Sequence, residues 1–168
     1  MLEYLPDRKT LWWMSGKTYL YDAAQKEWKP VPKDGARLGG ESAYDPESKQ
    51  VVVTLGLQTW VFSTDTNIWT LAQENAPDGG YVPASTFCYD STAKKFVLYT
   101  ALKLKDKPDA GVRLWLYDVK ENKWTAPAPK GDSPKVTNVA GYYDPARNVT
   151  VIYSNGETSV YRAKKVAK

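Results

Sequence analysis

One segment recurs four times in this chain. Residues 44–56 read YDPESKQVVVTLG, and three other segments that begin with a tyrosine align with them without a gap. These are YLPDRKTLWWMSG at 4–16, YDSTAKKFVLYTA at 89–101 and YDPARNVTVIYSN at 143–155. The four leading tyrosines are separated by 40, 45 and 54 residues. A self-similar period of this length indicates one supersecondary unit repeated along the chain.

The residues within each repeat predict β-strands. VVVTL, FVLYT and TVIY are short β-branched and aromatic runs without helical periodicity. YDPESKQ, DTNI, KENK and DPARN are typical of turns, because Asp and Asn cap a turn and Pro presets its φ. A four-stranded unit of about 40 residues is typical of a β-propeller blade. We therefore predict one all-β propeller domain whose blades of four antiparallel strands, a to d, span about 1–34, 39–74, 82–128 and 136–165.

A tryptophan occurs near the end of the first three repeats, at the predicted start of strand d. These residues are Trp28, Trp69 and Trp124. A tryptophan can bury roughly 150 to 250 Å². We predict that each is a structural residue that packs against the facing blade and shields the junction between blades.

The pattern resembles the Kelch repeat of galactose-oxidase-like and Kelch β-propellers. The residues that carry the resemblance are the aromatic–Asp pairs Tyr21–Asp22 and Tyr117–Asp118, each followed by a turn and a tryptophan. Arg37 lies where Kelch repeats place an arginine shortly before strand a. Kelch strand b usually closes on two glycines, whereas the b strands here end in MSG, TLG, YTA and SNG. The resemblance is to a divergent, bacterial-type form with YDP turns, and implies a propeller that binds protein.

The blade count of about four includes incomplete first and last blades. Only MLEY remains for strand a of the first repeat, and the last repeat stops after strand c. Closed propellers have four to eight blades. Three arrangements follow: a four-bladed ring that the amino-terminal segment closes, a ring made by two chains, or part of a longer propeller. An open arc would expose an apolar blade face, so the sequence predicts a protein partner, which can be a second copy of the chain.

Composition excludes several kinds of site. The chain contains no histidine and one cysteine, so disulfides, Ser-His-Asp triads, Cys-His pairs and imidazole metal sites are excluded within it. Cys88 lies in an apolar stretch and is expected to be a small buried hydrophobe. No catalytic residue, metal ligand or cofactor is predicted. The net charge of +4 is scattered, so we expect no nucleic-acid partner.

The sequence also sets expectations about compartment. No window approaches the ~20 apolar residues of a membrane span. The amino terminus lacks the basic start and apolar run of a signal peptide. We expect a cytoplasmic protein if Met1 is the native start, and a secreted or periplasmic one if the chain is a fragment.

A positively charged rim is the candidate partner-binding site. The predicted b-to-c loop at 102–111 is about ten residues longer than in the second repeat, and long loops often carry function. Its Lys103, Lys105 and Lys107, together with Arg37, would attract an acidic protein. We therefore expect a non-enzymatic scaffold or accessory subunit. The alternative is a fragment of a carbohydrate-active or epimerase-like propeller enzyme with its catalytic residues outside this chain, for which carbohydrate would be the ligand.

Overall fold

The chain folds into antiparallel β-sheets. A computed structural model describes residues 1–31, 40–55, 58–74, 85–101, 112–128, 130 and 139–164. Within these ranges there are fifteen strands in four sheets and no helix. The predicted all-β class is confirmed.

Each sheet is a meander in which every strand pairs with its neighbour in the chain. The first sheet contains β1 (Leu2–Leu5), β2 (Thr10–Ser15), β3 (Lys17–Asp22) and β4 (Glu27–Pro30). The second contains β5 (Glu41–Asp45), β6 (Gln50–Leu55), β7 (Gln58–Ser63) and β8 (Ile68–Gln73). The third contains β9 (Thr86–Asp90), β10 (Lys95–Ala101), β11 (Val112–Asp118) and β12 (Lys123–Thr125). The last contains β13 (Ala140–Asp144), β14 (Val149–Ser154) and β15 (Glu157–Tyr161).

The two terminal sheets differ in strand number. In the first sheet the short β1 pairs with β2 along its whole length, from Leu2 opposite Trp13 to Leu5 opposite Thr10. Four residues are enough for strand a, so the first sheet has all four strands rather than being incomplete. The last sheet has three strands in the described part of the chain, which is the a, b and c set expected for the last repeat.

The repeated turns are built from local contacts. The carboxylate of Asp45 accepts a hydrogen bond from the backbone N–H of Glu47 at 2.9 Å, and Asp90 accepts from Thr92 and Ala93. Seven four-residue turns end on a residue with φ between 48° and 57°, in the left-handed region. Three of these are asparagines, which tolerate this region, and four are lysines. The turn after strand a therefore has an Asp cap in the second, third and last repeats, whereas the first repeat has Leu5 at that position and forms the turn with backbone hydrogen bonds.

The chain divides into two compact units, Met1–Ala76 and Pro77–Lys168. In the first unit, the first and second sheets pack face to face around a hydrophobic core. The first sheet contributes Leu5, Trp12 and Met14, and the second contributes Tyr44, Val51, Val53, Phe62 and Trp69. This packing buries one face of each sheet.

In the second unit, the third and last sheets pack in the same way. The core consists of Cys88, Val97, Tyr99 and Leu114 from the third sheet and Ile152 from the last. Burial raises the pKa of the Cys88 thiol to about 12, and its Sγ lies 3.8 Å from Thr150 Oγ1. The prediction that Cys88 is a buried hydrophobe is confirmed.

Candidate functional site

The predicted positive rim cannot be placed in the fold. Arg37, Lys103, Lys105 and Lys107 all lie outside the described residues. The tryptophans predicted to pack between blades, Trp28, Trp69 and Trp124, lie within the described residues, and they differ in burial and contacts.

Trp69 connects two sheets. Its side chain is 8% exposed, and its indole Nε1 donates a 2.9 Å hydrogen bond to Thr18 Oγ1 in the first sheet. Its ring centroid lies 6.0 Å from that of Trp12, also in the first sheet. Thr18 and Trp12 are themselves buried. Trp69 therefore fills the junction between the first and second sheets.

Trp124 and Trp28 contact residues of their own sheets. The ring centroid of Trp124 lies 4.8 Å from Tyr117 and 6.3 Å from Phe87 in the third sheet. Trp28 is 38% exposed, and its ring contacts are with Trp13 and Tyr21 of the first sheet. The same repeat position is thus buried between sheets at Trp69 and open to solvent at Trp28.

Trp28 belongs to an apolar outer surface of the first sheet. Cross-strand register aligns Leu2, Trp13 and Tyr19 in one row, and Tyr4, Leu11, Tyr21 and Trp28 in the next. We call these two rows the aromatic face. The opposite face of the sheet, with Leu5, Trp12 and Met14, packs on the second sheet. Leu2 and Tyr4 are 59% and 57% exposed, so the aromatic face has no comparable cover.

The last sheet carries a second apolar outer surface. Register aligns Tyr142, Val151 and Val160 in one row, and Ala140, Tyr153 and Thr158 in the next. We call these two rows the terminal face. Ile152, on the opposite side of the sheet, packs on the third sheet. Tyr142, Tyr153 and Val160 are 59%, 50% and 65% exposed.

These two faces contain most of the exposed apolar side chains. Seven large hydrophobic residues are exposed among the described residues, and six of them lie on the aromatic face or the terminal face. The seventh is Ile68 in β8. Scattered exposed hydrophobes are ordinary, whereas contiguous apolar patches mark interaction surfaces. The distribution therefore selects these two faces as the candidate sites.

Polar contacts accompany each packed pair of sheets. The Tyr44 hydroxyl donates to Asp7 Oδ1 in the turn between β1 and β2 of the first sheet. The Tyr143 hydroxyl lies 2.7 Å from Thr92 Oγ1 in the turn between β9 and β10 of the third sheet. Ser42 Oγ donates to Glu3 Oε1 at 2.6 Å between the first and second sheets. Burial raises the pKa of Glu3 to about 7, against the lowering effect of that hydrogen bond. The leading tyrosine of a repeat thus contacts the sheet before it.

A shallow depression of about 450 Å³ lies beside the first sheet. Its lining includes Arg8, Lys29 and Asp22. Arg8 donates to Asn67 Oδ1 at 3.2 Å and to the Thr64 carbonyl, and Lys29 forms a 2.7 Å ion pair with Asp22. The Lys29 hydrogen bond lowers the pKa of Asp22. Because Arg8, Lys29 and Asp22 are engaged with protein groups, this depression has a weaker case as a ligand site than the two apolar faces.

Two further features are absent from the described ranges. No group of three or more Cys, Asp and Glu side chains there is arranged to hold a metal ion. In the same part of the chain, no helix is long and apolar enough to cross a membrane.

Sequence reasoning missed the aromatic face, although a signal was present. The run Leu11, Trp12, Trp13, Met14 is apolar in both phases of a strand, which indicates two apolar faces. Only the packing in the first unit reveals that the second sheet covers the face of β2 that carries Trp12 and leaves the face that carries Trp13 uncovered.

No protein-family model matches the chain, and no curated protein does. Among solved structures it is similar to TolB from Acinetobacter baumannii, with a TM-score of 0.61 and 14% identity over 95% of this chain and 39% of that one. It is also similar to an auxiliary nutrient binding protein from Bacteroides thetaiotaomicron VPI-5482, with a TM-score of 0.61 and 12% identity over 91% of this chain and 35% of that one.

Both neighbours have β-propeller-type folds, and the present chain shares that type of fold. At this identity the likeness concerns the fold alone. The chain spans less than two fifths of the length of each neighbour.

Proposed function

We propose that this chain is a divergent Kelch-like propeller module with a non-enzymatic role as a protein-binding scaffold or accessory subunit. Its contact surface is the aromatic face, which a second copy or another protein subunit covers. The observation that supports this most is the exposure of Leu2, Tyr4 and Trp28 on a face whose other members are also apolar or aromatic.

The chemistry of the aromatic face suits a polypeptide. Tyrosine and tryptophan are enriched at the centres of protein interfaces, because they bury large areas while ordering few torsions. The two central rows carry no charged side chain that an interface would have to desolvate. A sheet face of this composition gains by being covered with another apolar surface.

The ring geometry favours a protein over a flat sugar. Trp28 is inclined by 58° to Trp13 and by 56° to Tyr21, so these three rings form ridges and grooves rather than a plane. Side chains of another sheet can interdigitate with such a surface. A sugar chain that stacks on several rings at once requires those rings to be coplanar, so the tilt of Trp28 against Trp13 and Tyr21 favours a polypeptide.

Site-specific photo-cross-linking tests the proposal. A benzophenone amino acid is placed at Trp28 or at Tyr21 of the full chain in the cells that produce it. We expect irradiation to give an adduct of one defined mass, which mass spectrometry assigns to this chain or to another polypeptide. The matched control is Glu27, an exposed residue on the opposite side of β4.

The control should give much less adduct, because its side chain points away from the aromatic face. If Trp28 and Tyr21 gave no more polypeptide adduct than Glu27, the aromatic face would not be a protein-binding surface and the proposed function would be refuted.

A further inference from the structure

We infer that the aromatic face of one copy packs on the terminal face of a second copy, and that two such contacts join the copies into a closed dimer. This inference rests on the proposed function and identifies its partner. It is carried by the register of the repeats, because the same pairing of faces already occurs inside the chain.

The aromatic face has a buried counterpart in the second sheet. The row Tyr4, Leu11, Tyr21, Trp28 occupies the same repeat positions as the row Tyr44, Val51, Phe62, Trp69. In the second sheet this row forms part of the core shared with the first sheet. The aromatic face is therefore a surface of the kind that this fold buries against a preceding sheet.

The terminal face has a buried counterpart in the third sheet. By register, Tyr142, Val151 and Tyr153 occupy the positions of Cys88, Val97 and Tyr99. Those three residues form the face of the third sheet that receives the last sheet. The terminal face is therefore a surface of the kind that this fold offers to a following sheet.

One specific contact can be carried over from the internal pairing. Trp69 donates its indole N–H to Thr18, which pairs with Met14 in the first sheet. The equivalent of Thr18 on the terminal face is also a threonine, Thr158, which pairs with Tyr153. The pairing places the indole N–H of Trp28 at the hydroxyl of Thr158 in the second copy.

A second contact follows from the same register. Trp12 lies against Phe62 and Trp69, with ring centroids 6.1 and 6.0 Å apart. The equivalent of Trp12 on the terminal face is the smaller Val151. In the dimer, Val151 of one copy faces Tyr21 and Trp28 of the other, which are the equivalents of Phe62 and Trp69. The central rows of the two faces carry no charged residue, so no ionised group has to be desolvated there.

Dimerisation covers the aromatic face and the terminal face of each copy at once. In a dimer each copy gives one aromatic face and receives one on its terminal face, so both of these faces are covered in each copy. A head-to-tail contact that closes in this way forms a limited ring rather than a filament.

Light scattering on a sizing column measures the mass of the full chain over a range of concentrations. We expect a stable mass of twice 18.9 kDa. Val160→Asp on the terminal face and Trp28→Lys on the aromatic face should each raise the dimer dissociation constant by about 100-fold or more, as expected when a charge enters an interface core. Ile68→Lys, which places a charge at an exposed apolar residue outside both faces, should leave the mass unchanged.

A charge pair tests which residues meet. Trp28→Lys and Thr158→Glu should each weaken the dimer, and the double variant should recover at least about tenfold of the affinity that each single variant loses. Far-ultraviolet circular dichroism confirms that each variant is folded. If Trp28→Lys does not fold, Tyr4→Lys, at a 57% exposed position on the other edge of the same row, replaces it in the measurement of dimer mass.

Each alternative outcome overturns the inference in a distinct way. A monomer at all concentrations excludes a second copy, while a cross-link from Trp28 to a different protein would leave the proposed function intact. A dimer that is insensitive to Val160→Asp and Thr158→Glu would mean that the aromatic faces meet each other. A mass that grows without limit would refute the closed arrangement.

Discussion

Trp69 provides a strict test of the packing in the first unit. Its indole is almost fully buried, contacts Trp12 and Phe62, and donates a hydrogen bond to the buried hydroxyl of Thr18. Truncation of a core tryptophan to alanine costs about 3 to 5 kcal/mol, because apolar contacts are lost and a cavity remains. Leaving Thr18 without its donor adds about 1 kcal/mol. We expect Trp69→Ala to lower the free energy of unfolding by about 4 to 6 kcal/mol.

The assay is urea denaturation followed by circular dichroism, in a Val160→Asp background so that association does not contribute to stability. Trp69→Phe, which keeps an aromatic ring but loses the N–H donor, should cost about 2 kcal/mol. Ile68→Ala, at the exposed neighbouring residue on the opposite side of β8, is the control and should cost about 1 kcal/mol or less. A loss below about 1 kcal/mol for Trp69→Ala would refute the assignment of Trp69 to the junction between sheets.

Three further predictions concern single side chains. Burial raises the pKa of Glu3 to about 7, so the contribution of its protonated form to stability is fully present below about pH 4.5 and is lost as the pH rises through 7. Melts at pH 5 and pH 8 should show a loss of roughly 1 to 2 kcal/mol in the wild type, and Glu3→Gln should remove that loss. Tyr143→Phe, which removes the hydroxyl contacts with Thr92 and Asn148, should cost about 1 kcal/mol in urea denaturation in the Val160→Asp background, whereas Tyr4→Phe at the exposed equivalent position should cost almost nothing. Burial raises the pKa of Cys88 to about 12, so a thiol reagent at pH 8 should modify it only after unfolding in urea, and rapid modification of the native protein would contradict its position in the core.

Much of the fold was predictable because its signals are local. The caps at Asp45, Asp90 and Asp144 act on backbone groups two or three residues away, so these three repeats show the turn after strand a in their own sequence. The β-branched and aromatic runs between the turns then predict strands, and the repeat period predicts sheets of four strands each. The strand count of the first repeat was the exception, since the brief segment MLEY gave little indication that it would pair completely with β2.

The candidate site was less predictable, because burial depends on which surface lies opposite a side chain. Trp28 and Trp69 occupy the same position in the repeat, and nothing in their flanking turns indicates different environments. Charge and loop length predicted a site at the basic residues, whereas the exposed side chains of the two faces are mainly tyrosine, tryptophan, leucine and valine.

The sequence by itself determined the repeats, their capped turns, the strands and the all-β class, since each depends on dihedral preferences and hydrogen bonds within a few residues. Tertiary structure alone decided which of the two faces of each strand is covered by another sheet. Trp12 and Trp69 are enclosed between two sheets, while Trp13, Trp28 and Tyr4 lie on a face that no sheet of their own unit covers. Side chains of the same type in the same repeat therefore serve as core in one sheet and as candidate contact surface in another, because burial is set by packing between distant parts of the chain.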